Sequence, residues 1–391
     1  MIHVHPFPAR MAPEIALEKI QSLSKKAIVL DPMVGSGMVL SQSVRAGHIA
    51  IGGDLDPLAR LISKVGSTPV SSDLALNQVD KLINLCRKRL NRPVKLPWID
   101  DDVETADFIS YWFAKKQISE LRTLSHFLVA KPFCSNEKML NLLQVAVSRL
   151  IVTKEPKASL ARDTAHSRPH RTITKNQFSV LDNLEASVTH ILKALDGGAI
   201  SGGAKVYRMD ARKMNWVKNN SVDAVITSPP YLNAIDYMRG HKLSLVWLGY
   251  GVPELRNIRA RSIGAERAID REEATNFRRL MTKIELNELD DKQRRLLARY
   301  YVDLIDQLSE TYRVLKPKKT ALYVIGNSTV REHYVRNNEI LKHCARQAGF
   351  RVRSEKHREI PDERRYLPMP KKHGTTLATR MRAEHVIELV K

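Results

Sequence analysis

The chain has 391 residues, 43% of them hydrophobic and 27% charged. That is a globular composition able to fill a core, and it excludes disordered, collagen-like, coiled-coil and disulfide-scaffold classes. Lys and Arg number 64 against 42 Asp and Glu, a net charge of +22, the balance of a protein that meets a polyanion, most commonly nucleic acid.

The three cysteines, Cys86, Cys134 and Cys344, are far apart and lack metal-ligand spacing. No basic-then-apolar leader opens the sequence, and no apolar run approaches the ~18 residues of a membrane span. A soluble, reduced, cytoplasmic protein without a membrane partner is expected, and no metal is implied.

In chain order, Pro13 and the spacing of Ile15, Leu17, Ile20 and Leu23 predict a helix over 13–26. Residues 27–30 form a short apolar run bounded by charge and by Asp31-Pro32, the pattern of a buried strand. Gly35 and Gly37 follow, then a helical pattern over 38–46 and a second strand over 49–53, ending at Asp54. This β-loop-α-β unit opens a doubly wound α/β sheet of Rossmann-like type.

Helical patterns then dominate over 80–90, 106–128, 137–151 and 178–195, around a basic stretch at 153–175. The expected division is a first part of the sheet domain over 1–74, a helical insertion over 75–200, and a second part over 201–391. Strands are predicted at 204–209, 222–226, 321–325, 350–354 and 385–390, with helices at 304–315 and 338–348 and a polar helical insert at about 251–298. The closing order allows a hairpin at one edge of the sheet.

Three acids fall at successive strand ends. Asp31 precedes a Gly-Ser-Gly turn that departs from the dinucleotide fingerprint, because Leu40 stands where a third Gly belongs. An acid there suits a cationic group better than a pyrophosphate. Asp54, 17 residues after Gly37, is placed to accept from ribose hydroxyls, and Asp210 from an adenine amine. Each alone is an ordinary cap or turn residue. Together they describe a pocket for a cationic adenosine compound, and S-adenosylmethionine fits.

The sharpest motif is Thr227-Ser228-Pro229-Pro230-Tyr231, at the carboxyl end of a strand. Two prolines fix the backbone and remove donors, leaving carbonyls as acceptors. Ser228 and the Pro229 carbonyl can accept the hydrogens of an exocyclic amine, and Tyr231 can stack on a planar base.

On these residues the sequence resembles the S-adenosylmethionine-dependent amino-methyltransferases of DNA, which methylate cytosine N4 or adenine N6. Asp31-Pro32-Met33-Val34-Gly35-Ser36-Gly37 resembles their cofactor motif, with Met33 in place of the usual aromatic. Ser228 to Tyr231 resembles their catalytic motif, and the segment from His5 through Arg10 resembles the part that closes over the cofactor's methionine end.

The resemblance covers roughly 1–60 and 204–250, and 304–391 in general shape. It implies cofactor contacts from Pro32, Gly35, Ser36, Gly37 and Arg10 beside the three acids. It also implies a flipped base, a double-stranded DNA substrate with a specific site, and room for a cognate restriction endonuclease. Ser228 favours the cytosine N4 branch. Residues 151–171 echo a basic stretch that some members place near the substrate, so Arg162, Arg168 and Arg171 are candidate nucleic-acid contacts. The Arg-rich tracts 256–279 and 351–372 could also grip phosphates, or form surface ion pairs.

The rival readings are adenine N6 as target, an RNA or tRNA base methyltransferase with the same motifs, a protein glutamine methyltransferase, and a non-catalytic nucleic-acid-binding subunit. The glutamine enzymes' motif normally begins with Asn, and an intact motif set speaks against decay. If the excess positive charge serves a polyanion, affinity for duplex DNA falls steeply between low and physiological salt. A flat response in a fluorescence-anisotropy titration contradicts the nucleic-acid reading.

Overall fold

The structure, a computed structural model, describes residues 3–7, 11–90, 92–196, 198, 200–232, 236–263, 275–284, 286, 289–330, 333–360 and 383–391. The strands are β1 (Ile28–Asp31), β2 (Ile49–Asp54), β3 (Ala161–Arg162), β4 (His170–Arg171), β5 (Gly203–Arg208), β6 (Val222–Thr227), β7 (Leu315–Gly326), β8 (Ser328–Val330), β9 (His333–Val335), β10 (Arg351–Glu359) and β11 (Ala383–Val390). Seven of them form one sheet in the order β10-β11-β7-β6-β1-β2-β5, while β3-β4 and β8-β9 are separate pairs.

Five strands run parallel, with Leu30 opposite Ile51 on one side and Val225 on the other. β11 runs antiparallel between β7 and β10. The chain therefore has a Rossmann-like, doubly wound α/β fold, and the edge hairpin allowed by the sequence is β10-β11.

Alternation along each strand builds the two faces. Val29, Ile226 and Leu322 pack with the helix Pro13–Gln21. Their chain neighbours Leu30, Val225 and Tyr323 pack on the other face with the helices Asp291–Val314 and Asn337–Gln347. Parallel strands put their carboxyl ends on one side, so Asp31, Asp54, Arg208 and Thr227 end along a single rim.

Several elements differ from expectation for identifiable reasons. The helix predicted over 106–128 is broken into Val103–Trp112 and Lys115–Ser125. Phe113 between them is extended and buried, its ring edge-on to Trp247 at 5.2 Å. Tertiary packing here overrides helix propensity. β7 begins at Leu315, six residues ahead of the predicted start, because the chain enters the sheet at once after the helix.

The helix Pro57–Gly66, absent from the predicted elements, starts with Asp56 capping the Leu58 amide at 2.8 Å and Pro57 at its first position. No described helix is long and apolar enough to cross a membrane.

The helices within 75–200 share one apolar core that also takes in Ile62 and Val65 from Pro57–Gly66, and Leu243 and Trp247 from the stretch after the Pro-Pro turn. The basic stretch is rooted in that core. Thr164 donates to the carbonyls of Thr153 (2.8 Å) and Ile151 (3.1 Å) and accepts from the Thr153 amide (2.6 Å). Its turn then lies directly on the helix Tyr237–Leu245: a Cβ on Gly240 would sit 2.2 Å from the Thr164 carbonyl oxygen. Gly240→Ala is therefore expected to cost about 1–3 kcal/mol of stability, the range of overpacking. Urea unfolding measures it, and an unchanged midpoint contradicts the close contact.

Candidate active site

The loop after β1 is shaped by glycine. Gly37 is left-handed (φ 75°), and a Cβ there would lie 2.6 Å from the Ser63 backbone, so no other residue fits. Gly35 is also left-handed (φ 47°) and lies under the Phe7 ring. Pro32 is buried and Ser36 half-buried in the same loop. Phe7 is buried, with its ring 5.0 Å from Tyr237 and 5.2 Å from His241. The segment His3–Phe7 thus covers the glycine turn, held to the helix Glu137–Ile151 by His5 Nε2 on Ser148 (2.9 Å) and by Arg149 donating to the Val4 carbonyl (3.0 Å). Arg10 lies outside the described residues.

Asp31 is 3% exposed and accepts from Thr227 Oγ1 at 2.8 Å and the Met33 amide at 3.2 Å. Burial pushes its carboxyl up to about 7 despite those bonds, and the charge of Asp54 adds to the rise. Asp54 accepts from the Gly35 amide (3.1 Å) and the Asp56 amide (3.0 Å), and burial, with Asp56 next to it, pushes it up to about 6. No Lys, Arg or His hydrogen-bonds either carboxylate side chain among the described residues. Arg60, on the Asp54 carbonyl at 3.0 Å, is the cation whose charge lowers Asp54, too weakly to offset burial, and two buried acids so placed suit a ligand bearing cationic and hydroxyl groups.

Asp210 differs from the other two. Arg212 holds both its oxygens, at 2.9 Å and 2.8 Å, and also reaches Asp303 at 2.6 Å. Burial pushes the Asp210 carboxyl up, but the Arg212 bonds and charge outweigh it and keep it low. The carboxylate expected to accept from adenine is thus engaged by its own neighbour two residues on.

At the end of β6, Ser228 donates to the Val324 carbonyl at 2.9 Å, which leaves its oxygen lone pairs as acceptors. Pro229 is buried. The Pro230 carbonyl accepts from Tyr300 at 3.0 Å. Tyr231 is half-buried against the core, with its hydroxyl 3.4 Å from Ser228 Oγ and bonded to the Gly326 backbone. Burial, then the nearby Glu384, raises its phenol.

Arg162, Arg168 and Arg171 are all exposed. Arg162 pairs with Glu155 at 2.9 Å, and Arg171 stacks over Tyr111 at 5.2 Å. Two left-handed residues, Asp163 (φ 56°) and Ser167 (φ 54°), fold the turn that carries them. Of the Arg-rich tracts, 264–274 and 361–372 lie outside the described residues.

Four further residues join the site without having been singled out. Thr227 was read only as part of the motif. Asp56, capping its helix, also binds His241 Nδ1 at 2.5 Å; Asp56-Pro57 is a legible helix start, whereas nothing in the sequence marks His241 or Tyr300.

No family model matches the chain. It is 22% identical over 400 residues to the type II methyltransferase M.MvaI of Kocuria varians, spanning 95% of this chain and 86% of that one. The type II methyltransferase M.MjaII of Methanocaldococcus jannaschii is 20% identical over 61% of this chain and 60% of its own length. Among solved structures, a SAM-dependent methyltransferase from Methanosarcina mazei aligns at 9% identity over 98% of this chain and 99% of that chain, with a TM-score of 0.34. Strand order gives this chain a Rossmann-like α/β fold, and the relatives it matches over most of its length are type II methyltransferases.

The two acids give a pH signature. Folding favours the protonated form of each, so the stability they contribute is fully present below 3.8 and is lost as pH rises through about 7 for Asp31 and about 6 for Asp54. Asp31→Asn is expected to gain melting temperature relative to wild type as pH rises from about 5 to about 8. A difference that stays constant across that range contradicts a buried, ionising Asp31.

Proposed function

We propose that the protein is an S-adenosylmethionine-dependent DNA methyltransferase acting on the exocyclic amine of a flipped base, with cytosine N4 as the target. The observation that carries the reading is the bond from Thr227 to Asp31. It sets an acid suited to a cation beside a turn suited to an amine. The full-length similarity to a type II methyltransferase supports the same class, and the net charge of +22 supports a polyanionic substrate.

In this reading Asp31 and Asp54, with the Gly35-Ser36-Gly37 turn and Pro32, hold the cofactor. When bound, S-adenosylmethionine supplies an electrophilic methyl group on a sulfonium. Asp210 acts near the adenine side while holding Arg212. Phe7 covers the turn and keeps water from it. Ser228 Oγ and the Pro229 carbonyl accept the two amine hydrogens, which directs the nitrogen lone pair outward. The amine itself is the nucleophile, so no covalent enzyme intermediate forms, and catalysis is positioning and electrostatics. Tyr231 forms the wall against which the flipped base rests. Arg162, Arg168 and Arg171, on a turn fixed to the helix after the catalytic loop, grip the DNA backbone.

Incubation with labelled S-adenosylmethionine and unmethylated duplex DNA, followed by nucleoside mass spectrometry, is expected to show N4-methylcytosine. N6-methyladenine alone overturns the base assignment, and C5-methylcytosine overturns the amine chemistry. Ser228→Ala should lower kcat more than it raises KM, because the acceptor matters most as charge develops on nitrogen.

A further inference from the structure

The catalytic turn has an anchoring problem. Pro229 and Pro230 carry no amide hydrogens, so this stretch of backbone cannot fasten itself by donating to the sheet. Its fastenings come from side chains. Ser228 Oγ donates to Val324 on β7 (2.9 Å) on one side of the turn, and the Tyr231 hydroxyl reaches the Gly326 backbone on the other. Between them, Tyr300 on the helix Asp291–Val314 donates its hydroxyl to the Pro230 carbonyl at 3.0 Å.

We infer that Tyr300 is a positioning residue for methyl transfer: it takes up the Pro230 carbonyl and fixes the turn, so that Ser228 Oγ and the Pro229 carbonyl are the acceptors left to the target amine. This rests on the function proposed above and adds a residue to it. Tyr300 is 0% exposed, and burial raises its phenol well above its ordinary value, so the hydroxyl keeps its proton and remains a donor.

The helix that carries Tyr300 is itself held in place. Asp290 and Gln293 form a reciprocal capping box at its start. Asp303, three residues after Tyr300, binds Arg212 (2.6 Å) and Arg299 (2.9 Å). Tyr300 therefore reaches the turn from a fixed support, which is what positioning requires.

The adjacent Tyr301 supplies a control. It is also buried, and its hydroxyl donates one hydrogen bond at 3.0 Å, but to Gln347, away from the turn; the Tyr300 hydroxyl, besides donating to Pro230, accepts from the Leu232 backbone. Tyr300→Phe deletes the bond to Pro230 and the one accepted from the Leu232 backbone, Tyr301→Phe deletes one buried hydroxyl bond, and both keep the ring.

The test measures methyl transfer from tritiated S-adenosylmethionine to unmethylated, in vitro amplified genomic DNA by the full chain. Melting temperature and calorimetric cofactor affinity are followed in parallel. Tyr300→Phe is expected to lose about tenfold in kcat, with apparent KM for DNA and cofactor Kd held within about twofold. Tyr301→Phe is expected to lose melting temperature and keep its kcat. A Tyr300→Phe protein with wild-type kcat overturns the inference, and so does an equal loss of kcat in both variants, which marks a stability effect. A wild-type protein that methylates no nucleobase amine overturns the proposed function, and this inference with it; the wild-type arm alone reveals that case.

Discussion

Thr227 donates a hydroxyl hydrogen bond to Asp31 across the adjacent ends of β6 and β1 at a buried point. The two strands are in parallel register one residue earlier, Leu30 opposite Val225, so the bond lies where the sheet stops and the loops begin. A buried carboxylate is costly unless hydrogen-bonded. The Thr227 bond and the Met33 amide meet part of that demand, yet burial still pushes the acid up to about 7. The remaining demand suits a cation at this spot, while the backbone that meets Asp31 continues directly into Ser228 and the two prolines. One hydrogen bond thus fixes the distance between an acid and a row of acceptors.

The far side of the rim is tied together by a single helix. Asp291–Val314 holds Arg212 through Asp303 and the Pro-Pro turn through Tyr300. The Asp210–Arg212–Asp303 group is an almost buried ion cluster, and such clusters are weak sources of stability because desolvation offsets their attraction. Its effect is geometric. It joins Asp210, two residues past β5, to the helix behind the turn.

Much of this is legible in the sequence alone. Local signals carried the parallel strands as short apolar runs, the glycine turn as a sequence pattern, and the Ser-Pro-Pro-Tyr turn as a rigid break at a strand end. The Asp56-Pro57 start was equally local and equally legible. What local signals could not carry was long-range pairing. Tyr300 and Pro230 are 70 residues apart and His241 and Asp56 are 185 apart, and neither pair leaves a periodic trace. Asp210 shows the opposite difficulty. Its partner is two residues away, but an acid followed by an Arg reads equally as ligand and as ion pair until the side chains are placed. Phe113 shows packing deciding against propensity: a helical pattern is interrupted because one ring finds Trp247.

The contact between Gly240 and Thr164 has a consequence for how such a chain diversifies. The turn bearing Arg162, Arg168 and Arg171 rests on the backbone of the helix Tyr237–Leu245, with no space for even a methyl group between them. A recombination event that imported a foreign 153–171 segment alone would carry a surface shaped for another helix. The heritable unit of exchange is therefore a pair of distant segments, whose sequences can change only together.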